Sequence, residues 1–163
     1  ALRQDFGAAA VQEVAAAIDA AEVVVLAVPG AAVADIAAEH GTRLAGKVLI
    51  DTTNNMRGGA LHNVDILTAA APGARQVRAF STLGWENFAA PTIDGVQVDL
   101  FYCGDPSARI AADQLIADVG LRPVYIGGLD AAATVDGVAR LWFALAFGQG
   151  RGRRIAFKLL AEA

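Results

Sequence analysis

Cysteine is almost missing from this chain. Cys103 stands alone among 163 residues, so no internal disulfide can form, and a reducing cytosol is the expected setting. Charge is scarce as well, at 18% of residues with a net −4, so there is no overall basic footprint for nucleic acid. No basic stretch followed by an apolar one opens the chain, so no signal peptide is expected. The strongest apolar runs, "VVVLAV" and "LWFALAF", are too short on their own to span a bilayer. His40 and His62 are the only histidines, and neither has metal-ligand spacing, so no metal site is expected.

Apolar residues are plentiful. They make up 55% of the chain, which argues for a folded domain. "EVVVLAV" (22–28) is a continuous β-branched run of the kind covered on both faces in a parallel sheet. Pro29-Gly30 closes it. Helical spacing over 31–46 leads to a second strand, "KVLIDTT", and a helix near 63–70 leads to a third, "QVRAFST". "VDLFYCGD" and "RPVYIGG" are further strands around a helix over 106–120. A short edge strand is expected at 8–11 and a helix at 11–21, and two closing helices at 130–147 and 152–162. The alternation implies right-handed crossovers and a mostly parallel α/β sheet. Residues 1–128 form the Rossmann-like part and 129–163 a short helical tail.

The strand ends share one property. After "AVPG", "DTTNN" and "FSTLG" the apolar character stops at what should be the same edge. Ligands of open parallel sheets bind outside the carboxyl ends of the strands. Ala27, Val28 and Pro29 would give an apolar wall. Thr52, Thr53, Asn54 and Asn55, with Ser81 and Thr82, would give polar groups that donate and accept. Such a crevice suits a nicotinamide ring on its ribose. The Gly-rich G-x-G-x-x-G phosphate turn is missing; "GQGRGRR" (148–154) follows a helix, not a strand. "ALRQDFGA" resembles a helix end, so the chain is expected to start partway through a domain, without its first βαβ unit.

Taken in order, "EVVVLAVP", "GKVLIDTTN", "VRAFSTLG", "LFYCGD", "LIADVGLRPVYIGGL" and "VDGVARLWFALAFGQGRG" resemble the NADP-dependent oxidoreductases of the coenzyme F-420 type. The resemblance implies a Rossmann domain, often dimeric, that passes hydride between NADP(H) and a deazaflavin, coenzyme F-420, without a side-chain acid or base. By position it puts Ala27, Val28, Pro29 and Val33 on the nicotinamide side, Thr52 and Asn54 near its ribose, and Ser81, Thr82 and Leu83 toward the acceptor. Where that family has Lys-Ala-Phe-Asn-Thr, this chain has Arg78-Ala79-Phe80-Ser81-Thr82. Imine or hydroxyacid reductases on the same fold, and a non-catalytic nucleotide-binding module, stay open as alternatives. The expected partners are a small redox substrate and a second copy of the chain, with no nucleic acid and no membrane.

Other residues have plainer expected roles. Asp136 and Arg140 can pair four apart on a helix. Asp51 is expected to orient the loop after its strand, Trp85 to pack, and Cys103 to be a buried thiol. Arg151, Arg154 and Lys158 form either a solvated basic face or an anion site.

Overall fold

The computed structural model describes residues 11–56 and 58–162. Its central sheet has five strands: β1 (Val23–Leu26), β2 (Val48–Asp51), β3 (Arg75–Arg78), β6 (Asp99–Gly104) and β7 (Arg122–Tyr125), lying side by side in that order. β1, β2 and β3 run parallel, with Val24 beside Leu49 and Ile50 beside Val77. β6 is antiparallel to β3, and β7 is parallel to β6. A two-stranded hairpin, β4 (Thr92–Ile93) and β5 (Val96–Gln97), stands apart. The expected α/β fold with a mostly parallel sheet is therefore observed. The strand expected at 8–11 falls largely outside the described residues.

Alternation along the strands splits the core between two faces. Leu26 and Leu49 pack on one face beneath α1 (Val14–Ala20), α2 (Val33–His40) and α3 (Val64–Ala70), with Ile18, Val33, Ala37 and Leu67. Val48, Ile50, Val77, Leu100 and Tyr102 fill the other with Ala112 and Ile116 of α5 (Arg109–Asp118). α4 (Glu86–Ala89) is one short turn beyond β3.

The last third differs from its expected form. α6 (Ala132–Phe143) continues through a π-type turn, Ala144–Gly148, and residues 152–162 then form neither helix nor strand. Tertiary hydrogen bonds override helical spacing there. Trp142 Nε1 donates to the Ile155 carbonyl at 3.0 Å, and the Leu159 amide donates to Asp99 Oδ2 at 2.7 Å. Arg154 donates to the Ala90 and Thr92 carbonyls, each at 2.6 Å, and Lys158 to Asp99 Oδ1 at 2.8 Å. These two cations tack the strap to the body while staying exposed to solvent. The helical run Leu129–Gly148 is 20 residues long and apolar enough to cross a membrane by length and composition. In the fold its Val135, Asp136, Ala139 and Trp142 are buried against the rest of the protein.

Candidate functional site

Because β1, β2 and β3 are parallel neighbours, their carboxyl ends share one edge, and hydrogen bonds stitch the tips together. Thr52 Oγ1 donates to the Leu26 carbonyl at 2.9 Å. Asn54 Nδ2 donates to the Ser81 carbonyl at 3.4 Å. Gly30 lies so close to the next tip that a Cβ would stand 2.9 Å from the Asn55 Cα and N, which explains glycine after Pro29. The three tips converge, as the strand-end pattern predicts.

One wall of this crevice is apolar. Ala27 and Pro29 are exposed and Val28 half-buried. Beside them a hollow of about 320 Å³ is lined by Val25, Ala27, Thr52, Phe80, Phe88, Leu115 and Val119, within the size range of ligand pockets. Phe80 has a φ of 59°, unusual for a bulky side chain and worth roughly 1–3 kcal/mol of strain. Its ring packs edge-on against Phe88 with centroids 5.6 Å apart, which helps hold it there.

The polar wall is prearranged by Asp51. Its Oδ1 accepts from the Thr53 amide at 2.9 Å and the Thr53 hydroxyl at 2.6 Å, and its Oδ2 from the Asn63 amide at 3.0 Å. Asp51 thus orients the loop, as expected. Ser81, Thr82 and Leu83 are all buried, and the Ser81 and Thr82 hydroxyls have no hydrogen-bond partner among the described residues. Val33 is fully buried beneath the start of α2, where it packs in the core rather than facing the crevice.

Arg78 was the residue the sequence hid. It is fully buried, and its guanidinium ties three segments together. Nη2 donates to Asp136 Oδ1 at 3.0 Å and to Asn54 Oδ1 at 2.9 Å, and Nη1 donates to the Thr53 carbonyl. The expected Asp136–Arg140 pair is replaced by this one, because Asp136 points into the protein; Arg140 instead donates to the Gly59 carbonyl at 2.6 Å. An arginine replacing the family pattern's lysine was the only sequence signal, and nothing local pointed to a partner 58 residues away. Trp85 is also corrected: it is 64% exposed and does not pack.

Cys103 is buried, and that burial pushes its thiol pKa up to about 11, so it is a thiol at neutral pH. Lys47 lies at the opposite edge of the sheet, where its ammonium donates to the Ala21 carbonyl at 2.6 Å. No group of three or more His, Cys, Asp or Glu that could hold a metal occurs among the described residues.

The sheet order defines a Rossmann-like α/β fold, with the crevice at the strand ends. Residues 1–55 match the family model described as NADP oxidoreductase, coenzyme F420-dependent. A proposed F420-dependent NADP-reductase from Arthrobacter sp. FB24 shares the fold at a TM-score of 0.77 and 22% identity, over 90% of this chain and 73% of that one. A hypothetical protein from Sinorhizobium meliloti follows at 0.57 and 28%, over 70% and 60%. A pyrroline-5-carboxylate reductase from Coxiella burnetii follows at 0.54 and 15%, over 86% and 52%. The resemblance to NADP oxidoreductases of the F-420 type is borne out by the family model over residues 1–55, and the solved structures share the fold.

Proposed function

We propose that the crevice receives the nicotinamide riboside end of NADP(H) and brings it against a flat hydride acceptor, a deazaflavin of the coenzyme F-420 kind. The observation that carries this reading is the pairing of two unlike walls at one sheet edge. Ala27, Val28 and Pro29 present an apolar surface to a ring, while Thr52 and Asn54 present polar groups at its margin. The residues fit the cofactor's chemistry: a flat ring needs the first wall, and ribose hydroxyls need the second. When bound, NADP(H) supplies or takes up a hydride at its nicotinamide ring.

The protein's part is positioning. Two hydride carriers held face to face need orientation and exclusion of water more than proton transfer. The Thr52 hydroxyl already donates to the Leu26 carbonyl, so its oxygen lone pairs remain as acceptors for a ribose hydroxyl. The Ser81 and Thr82 hydroxyls, buried and without partners among the described residues, would stand toward the acceptor in this reading. The lysine expected of a hydroxyacid enzyme has no counterpart among the described residues. Lys47 is at the far edge, and Lys158 is held by Asp99.

Rapid mixing of the protein with NADPH and oxidised deazaflavin tests the proposal. It predicts acceptor reduction matching NADPH consumption one for one. Turnover of a cyclic imine with none of deazaflavin would assign the acceptor to the imine-reductase class. NADPH binding with no turnover of either would leave a nucleotide-binding module.

A further inference from the structure

We propose that Arg78 is a positioning residue that locks the Asn54 side-chain amide in one orientation, so that Asn54 meets the ligand as a hydrogen-bond donor. This rests on the function proposed above and adds the polarity of one contact.

An asparagine amide can present either its oxygen or its nitrogen to a ligand. In this crevice the choice is made from behind. Arg78 Nη2, fully buried, donates to Asn54 Oδ1 at 2.9 Å. A guanidinium has donors and no acceptors, so a flipped amide would set N–H against N–H. With Oδ1 held, Nδ2 faces forward. One of its hydrogens goes to the Ser81 carbonyl at 3.4 Å, and the second is left for a ligand acceptor such as a ribose hydroxyl oxygen.

Arg78 is itself held from several sides. Nε and Nη2 both donate to Asp136 Oδ1, at 3.2 and 3.0 Å. Nη1 donates to the Thr53 and Asp51 carbonyls and stands 3.4 Å from Asp51 Oδ2. Asp136 Oδ2 accepts the Leu61 and His62 amides at 2.8 and 3.1 Å, which ties the far end of the same loop to α6. Only a planar fork reaches Asp136, Asn54 and Thr53 together; a lysine ammonium is a single point with three donors. Arg78 is therefore a clamp on the polar wall, where a lysine would supply only a charge.

Two variants and two readouts test this. Arg78→Lys keeps the charge and removes the fork. Asn54→Asp keeps an oxygen for Arg78 and removes the donor. NADPH affinity is read by fluorescence titration, and the Asn54 side-chain amide is observed by NMR with no ligand present. The expected result is about tenfold weaker binding for each variant, the size of one lost hydrogen bond. Asn54→Asp should stay folded although it gives up the bond to the Ser81 carbonyl, and Arg78→Lys should shift the Asn54 amide signals or broaden them by exchange. Unchanged affinity in a folded Asn54→Asp protein would overturn the proposal, as would an unmoved Asn54 amide in Arg78→Lys. If the parent protein binds no NADPH, the proposed function falls. The NMR readout then still decides whether Arg78 orients Asn54.

Discussion

At the scale of single residues, the crevice depends on contacts too close to tolerate extra atoms. Gly30→Ala would push a methyl to 2.9 Å from the Asn55 backbone, so one tip must move. We predict a loss of about 1–3 kcal/mol in urea unfolding together with weaker NADPH binding. Cys103 gives a chemical check. With its pKa raised to about 11 and its side chain buried, it should resist thiol reagents at neutral pH until the chain unfolds; fast labelling of the native protein would contradict the placement. Asp51 was legible from its place at the end of an apolar strand, because short polar side chains there bond their own loop. Arg78 was not, since its meaning lies in Asp136, brought close only by folding.

The strap over residues 152–162 is the element whose form the sequence concealed. Arg151, Arg154 and Lys158 fall at helical spacing, yet the chain is irregular there because Asp99 and nearby carbonyls capture it. The hairpin did leave a signal: Asp94-Gly95 between short β-rich pairs demands positive φ at both residues, and they have 50° and 78°. Burial opposes ionisation of Asp99, but hydrogen bonds from Arg122, Lys158 and the Leu159 amide outweigh it and hold the carboxyl below its ordinary 3.8. A lowered folded-state pKa stabilises above the unfolded value and is lost as pH falls through the folded one. The strap should therefore loosen in acid below about pH 3.8, seen as earlier proteolysis near residues 155–160. Asp99→Asn should cost about 1–2 kcal/mol at neutral pH and flatten that acid dependence.

At the scale of the molecule, the parallel arrangement and the shared edge of β1, β2 and β3 could be read in advance from alternating strands and helices. The reversal at β6 could be read only as a break in the pattern, since an antiparallel neighbour is chosen by packing across the sheet. β1 is an edge strand of the described sheet, with Val23 and Val25 exposed at 37% and 44%, next to the hollow beside Ala27. Filling that hollow with a flat ligand would cover the apolar surface there, so NADPH at saturating concentration should raise the melting temperature.

The convergent strand tips carry the functional reading only if nicotinamide binds between them. Titrating isotope-labelled protein with NADPH and following backbone amides and methyl groups by NMR tests this most directly. The largest shifts should fall at Ala27–Gly30, Thr52–Asn55 and Ser81–Gly84, with contacts from the nicotinamide ring to the methyl groups of Ala27 and Val28. Shifts gathered instead at the opposite edge, around Lys47 and Arg75, would contradict it.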